Sequence, residues 1–310
     1  MPMINEIACT EVFANTGFGQ CNFSPREIFG ILLVNPDFVI KDTDTATLQT
    51  FLTNAARNIN KGLRLRPIMG FVEAEDSSEE PVRQTFGYGA TKTLRNGNYN
   101  WQFKFVNGGI CLLKSLQALN GQTPYVIFVD AAYNLIGTVK DGGLGGIPVT
   151  DYWANPWNLN DGSGVSTIFS VYLSFNPTYI NERLAFIQTS TIPNFDISGV
   201  RGVQDVLLNV TASSASSISV QLKDKCTGSL DFGALYSDDL EDPTAWVATT
   251  TLGVAQVIDT VVYNSATKTF VLTFDPVRAA ATILNLADIS VLIGLGVIGY
   301  EGIPVTVAAP

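Results

Sequence analysis

The chain has 310 residues, 46% of them apolar and 15% charged, with a net charge of −10 and no histidine. A charged share this far below the usual ~25% implies a surface partly covered by copies of the chain or other subunits. Half-buried strand faces rich in Ser, Thr and Asn would lower the same figure. Without histidine there is no Ser-His-Asp or Cys-His relay, and an acidic chain lacks the concentrated basic surface that tight phosphate-backbone binding needs.

The opening segment, MPMINEIACTEVF, has neither the basic stretch nor the unbroken apolar run of a secretory signal. No apolar run reaches the ~18 residues of a bilayer-spanning helix, so no membrane partner is expected. Cys9, Cys21, Cys111 and Cys226 form no CxxC pair. They read as buried free thiols, with a Cys9–Cys21 disulfide left open, and no metal or cofactor is expected.

In NFSPREIFGILLV, Ser24, Pro25 and Glu27 stand where a helix cap, a first-turn proline and a capping-box acid belong. The following IFGILLV equally suits a strand. From 44 to 60, Leu48, Phe51, Leu52, Ala55 and Ile59 recur at helical spacing. A basic cluster (Arg57, Lys61, Arg64, Arg66) then precedes an acidic run (Glu73, Glu75, Asp76, Glu79, Glu80). Both suit a solvated face or ion pairing between subunits, which makes Arg64, Arg66, Glu73 and Glu75 interface candidates.

Tyr99, Trp101, Phe103 and Phe105 alternate with polar residues and so share one side of a strand. Asn96-Gly97 is the favoured pair for a tight hairpin turn, predicting a partner strand over 89–95. A short helix follows over 108–119, packed through Ile110, Leu113 and Leu116 or through Leu112, Leu116 and Leu119. Tyr125–Val129 reads as a buried strand, Asp130–Asn134 as a turn, and the next strand runs through Val139.

Residues 141–164 are rich in Gly and Asn yet hold Tyr152, Trp153 and Trp157. A loop of this length carries function or interface; its aromatics either anchor a neighbouring subunit or cover their own domain. Val165–Phe175 alternates as a strand and is expected to pair near Leu184–Gln188. The one enzymatic device available is a carboxylate pair among Asp130, Asp141, Asp151 and Glu182, with Trp153 or Trp157 as sugar-stacking surfaces. GGLGG lacks the Lys-Ser/Thr of a phosphate loop. No catalytic residue is assigned, and the chain is not read as an enzyme.

From about Ser198, short strands are expected at 206–211, 217–222, 245–250, 256–263, 269–274 and 290–298, with a turn at Asn264-Ser265. Asp238, Asp239, Glu241 and Asp242 do not fit a calcium-loop pattern and read as an exposed loop. The expected fold class is mainly β: a β-sandwich or barrel-like domain over 1–197 with one or two packed helices, followed by an immunoglobulin-like β-sandwich over 198–310.

The stretch RNGNYNWQFKFVNGGICLLKSLQALNGQTPYVIFVDAAYNLIG, Arg95 to Gly137, joins an aromatic strand, a Leu-rich helix and a strand ending in Asp130…Asn134…Gly137. Over about residues 40–190 this resembles tail-tube and related virion structural proteins of tailed bacteriophages. The resemblance implies a virion subunit made in the host cytoplasm that assembles with itself in rings or tubes and meets other virion proteins. DNA would pass its acidic lining without tight binding. A capsid-associated decoration protein and a carbohydrate-binding or adhesion module are the alternatives.

Overall fold

A computed structural model describes residues 4–6, 27–95, 97–106, 109–157, 169–176, 179, 183–193, 195–226 and 232–310. Ser24 and Pro25 of the N-terminal element lie outside them. The chain is mainly β and separates into two compact units, residues 1–56 with 60–200 and residues 57–59 with 201–310. The division falls past residue 197 because Ile197 and Val200 are buried in the core of the first unit.

The strands of the first unit are β1 (Ile4–Glu6), β2 (Ile28–Val34), β3 (Val39–Lys41), β4 (Arg66–Met69), β5 (Glu73–Asp76), β6 (Val82–Thr85) and β7 (Thr91–Arg95). They continue with β8 (Tyr99–Phe105), β9 (Tyr125–Asp130), β10 (Leu135–Lys140), β11 (Gly143–Gly145), β12 (Ile147–Ala154), β13 (Phe169–Phe175) and β14 (Leu184–Ile187). Twelve of them form one sheet along the path β1-β14-β10-β9-β12-β13-β8-β5, with β2 and β4 joined at β9 and β11 and β3 at β10. At β9 the sheet forks. β2 pairs along one edge, while the other is shared between β12 at Tyr125–Val126 and β10 at Phe128–Val129.

Strands β2 and β9 bury both faces, which is why ILLV and VIFV run nearly unbroken in apolar residues. Ile31, Leu33, Val126 and Phe128 enter one core with Phe103, Phe105, Phe169 and Phe175. Their neighbours Leu32, Val34, Ile127 and Val129 enter a second core against helix α1 (Leu48–Ala56), through Leu48, Leu52 and Ala56. Ile59, expected on that stripe, lies beyond the helix end and is 58% exposed. Helix α2 (Gly109–Gln117) and the turn after it bury Leu113, Leu116 and Leu119, while Ile110 is 57% exposed. The buried stripe, Leu113, Leu116 and Leu119, thus draws on both expected sets, with Leu112 half-buried.

The aromatic strand is core, as its alternation requires. Phe103 meets Phe71 at 4.9 Å and Phe128 at 6.4 Å between ring centroids, and Phe105 stacks on Phe169 at 4.8 Å. Three expectations about pairing fail. β8 pairs with β13 and β5, leaving 89–95 to another partner. Gly97 is not in the left-handed region a tight Asn-Gly turn needs; a Cβ there would sit 1.8 Å from the Glu79 carbonyl oxygen, so glycine serves close backbone approach. β14 pairs with β10 and β1 instead of β13.

Free thiols are also corrected. Cys111 and Cys226 each take part in a disulfide, and no described cysteine is free; Cys9 and Cys21 lie outside the described residues. Spacing in sequence is no guide here, because a disulfide answers to Cα separation in space.

The second unit contains β15 (Gln204–Ser213), β16 (Ser217–Asp224), β17 (Trp246–Thr250), β18 (Ile258–Asn264), β19 (Thr269–Phe274), β20 (Thr282–Leu286), β21 (Tyr300–Ile303) and β22 (Val305–Val307). A five-stranded sheet, β18-β19-β16-β15-β21, and a three-stranded sheet, β17-β20-β22, make up a β-sandwich. Val206, Ile218, Val220, Phe270 and Leu272 of the first sheet share one core with Trp246, Leu284, Leu286 and Val307 of the second. β15 and β21 run parallel; every other pair here is antiparallel. The strand expected at 290–298 is instead a short helix, Ile289–Gly294, followed by Gly296 and Gly299 at positive φ. An apolar run broken by glycine does not distinguish the two.

Asp196 and Asp242 cap their turns. Asp196 accepts from the Ser198 side chain and backbone, and Asp242 from the Thr244 backbone and side chain, which holds both carboxyls below the ordinary 3.8. Both carboxyls are fully exposed. A depressed folded pKa contributes stability above the unfolded value that is lost as pH falls through the folded one. Carboxyl-carbon NMR titration should place both midpoints below the ordinary aspartate value of 3.8.

Candidate assembly surfaces

The long loop expected over 141–164 is largely strand, since β11 and β12 occupy 143–154; residues 158–164 lie outside the described ones. Along β12, Ile147 and Val149 point inward, and a β-bulge between Val149 and Asp151 shifts the alternation so that Tyr152 and Ala154 do too. Tyr152 is therefore fully buried, and as an interface anchor it is overturned. Its hydroxyl donates to the Leu116 carbonyl at 3.2 Å. Burial pushes the phenol far above its ordinary range, with the Arg66 charge opposing, so it remains a neutral donor.

Trp153 faces the other way, 48% exposed, its indole N–H donating to Asn155 Oδ1 at 3.1 Å. Trp157 is 41% exposed. Both stay available as contact surfaces. Tyr152→Phe should cost about 1 kcal/mol, the typical value of one hydrogen bond. Trp153→Ser should leave stability within about 0.5 kcal/mol. Thermal denaturation of the two variants checks both.

Within the chain the acidic and basic candidates occupy different places. On the outer face of β5 and β8, Lys104 Nζ meets Glu75 at 2.6 Å and Glu73 at 3.2 Å. Those two carboxylates raise the Lys104 pKa. Cross-strand register produces this pairing, with Glu73 directly opposite Lys104. Arg64 and Arg66 instead line a cleft of about 240 Å³ with Asn35, Pro36, Gln122 and Pro124.

The carboxylates considered for catalysis are not gathered either. Asp130 is fully buried and serves the β9–β10 turn. Its Oδ1 accepts from the backbone N–H of Ala132 and Asn134, and its Oδ2 from the Asn134 side chain at 2.9 Å. Asp141 occupies a positive-φ turn position and Asp151 is exposed on β12. Glu182 lies outside the described residues. Among the described residues, no group of three or more His, Cys, Asp or Glu is placed to hold a metal ion, and no helix is long and apolar enough to cross a membrane. Asp238 and Asp239 lie on the one-turn helix Ser237–Leu240, with Glu241 and Asp242 just after it.

One surface feature was not anticipated. The pairing of β5 with β8 continues through Ser77 and Glu79, whose N–H groups donate to the Asn100 and Asn98 carbonyls, into the pairing of β6 with β7. The whole is one long hairpin. Its turn lies at 86–90, where Gly89 takes φ +84° and Phe86 N–H donates to the Ala90 carbonyl. β6 and β7 are exposed along their entire length and pair only with each other among the described strands. Phe86 and Tyr88 stack at the tip, 5.7 Å apart and 9° from parallel, with Tyr88 80% exposed. Leu94 and Val82 add exposed apolar surface. Between residues 82 and 95 the charges are Arg83, Lys92 and Arg95 with no acid, so this arm carries +3 on a chain of −10. FGYGA was a legible turn signal, overshadowed by Asn96-Gly97.

Set against known proteins, the chain matches no family model, no curated protein and no solved structure.

Proposed function

We propose that the chain is a structural subunit that assembles with copies of itself, and that the assembly is a tail tube or related virion structure of a tailed phage. The observation that carries self-assembly is the arm over 82–95, a two-stranded ribbon exposed on both faces with an aromatic tip. An isolated two-stranded ribbon is at best marginally stable in water, and its apolar side chains gain burial only against another molecule. The exposed Trp153 and Trp157 support the same reading. The virion setting rests on the resemblance over residues 40–190 and agrees with a net charge of −10, which would let DNA pass without tight binding.

Electron microscopy and light scattering of the purified chain over a range of concentration and salt test the proposal. Rings or tubes are expected, and replacing 82–95 by a short Gly-Ser turn should leave a folded monomer. A wild-type chain that stays monomeric throughout, with no ordered particle in any condition, overturns it.

A further inference from the structure

Resting on the self-assembly reading, we propose that the arm of one copy is received by a groove on the first unit of a second copy, beside the outer edge of β5. This groove, about 220 Å³, is lined by Glu27, Ile28, Phe29, Phe71, Val72 and Glu73 among others. Strand β5 ends the sheet path and pairs with β8 alone among the described strands. Among the described residues its outer edge is unpaired, and such an edge offers backbone donors and acceptors to an incoming strand.

The two surfaces match in three respects. The groove edge is a strand and the arm is a ribbon with two edges to give. Phe29 and Val72, 40% and 58% exposed, face the groove, and the arm exposes Val82, Tyr88 and Leu94. Glu27 and Glu73 line the groove, and the two carboxylates of Glu73 and Glu75 share the single Lys104 cation, so the charge there is net negative, while the arm bears only Arg83, Lys92 and Arg95. Like charges directly opposed in a strand pair are destabilising and opposite ones favourable.

The occupant is a second copy, because the arm cannot reach its own groove. The arm leaves from the far end of β5, and Tyr88 lies 15 residues beyond Glu73 along a paired strand, about 50 Å when extended. Turning back would break the ladder. Each copy thus gives one surface and receives at a different one. That is a head-to-tail contact, which closes into a ring when the rotation per copy divides a full turn and otherwise yields a filament.

The test is charge reversal in the full chain. Arg83→Glu with Lys92→Glu and Arg95→Glu, and separately Glu27→Lys with Glu73→Lys, should each raise the concentration needed for assembly at least tenfold. Mixing the two variants should restore association between them, since an acidic arm then meets a basic groove. Val72→Lys, on the exposed rim, removes apolar surface and opposes the basic arm, and gives the same readout if the lysine pair disturbs folding, with circular dichroism as the check. Assembly lost in the arm variant but unchanged in both groove variants overturns the inference and leaves self-assembly standing. Assembly unchanged in every variant also overturns it. A wild type that never assembles removes the underlying proposal instead. Arm-dependent binding to double-stranded DNA without self-association would assign the arm to nucleic acid and overturn both.

Discussion

Replacing Phe103 by Ala should destabilise the first unit by about 3–5 kcal/mol, the usual cost of removing a fully buried phenylalanine. The ring is completely buried and packs on Phe71, Trp101 and Phe128 at centroid distances of 4.9, 6.3 and 6.4 Å. Phe71 is held between β4 and β5, Trp101 on β8 itself and Phe128 on β9, so the vacated volume cannot collapse without moving backbone. Hydrogen exchange is the suitable measurement, because each unit has a buried cluster of its own. The β9 amides should lose protection more than a hundredfold, about 1.4 kcal/mol being tenfold, while those of β19 stay as in the wild type. A loss confined to the β8 amides would show that the aromatic cluster does not hold this unit together.

Arg278→Leu should cost the second unit about 2–4 kcal/mol, because hydrogen bonds from a charged donor are lost and buried acceptors are left unmet. The side chain is 3% exposed. Nε donates to Thr282 Oγ1 at 2.8 Å, one terminal nitrogen to the Ser214 carbonyl at 3.0 Å, and the other to the Ala308 carbonyl at 2.8 Å. The guanidinium also lies over the Phe274 ring at 5.7 Å. Burial lowers its pKa from the ordinary arginine value, yet an arginine remains protonated in a protein. The fork thus ties the β15–β16 turn and the residue after β22 to the start of β20, three segments remote in sequence. Arg278→Lys keeps the charge without the planar fork and should recover only part of the loss. Amide protection of β22 and the thermal midpoint of the second unit check both variants; a leucine variant as stable as the wild type would contradict this account.

Elements are legible in the chain where one-sided or two-sided burial leaves a pattern. Tyr99–Phe105 and Phe169–Phe175 are strands where their alternation put them, and Leu48, Leu52 and their neighbours form the expected helix. The turn at Asp130–Asn134 follows from side-chain chemistry that closes locally. The arm was only half legible, because strands exposed on both faces carry no burial period, and so its turn, centred on Tyr88, was misplaced at Asn96-Gly97. Only the tertiary structure decided the partners: β8 with β13 and β5, β14 with β10, and Cys111 and Cys226 in disulfides. It alone turned Tyr152 inward through a bulge and gave the Glu73 and Glu75 carboxylates to Lys104. Alternation records which side of a strand is hidden. What hides it is a contact between residues far apart along the chain, and such contacts leave no local period to read.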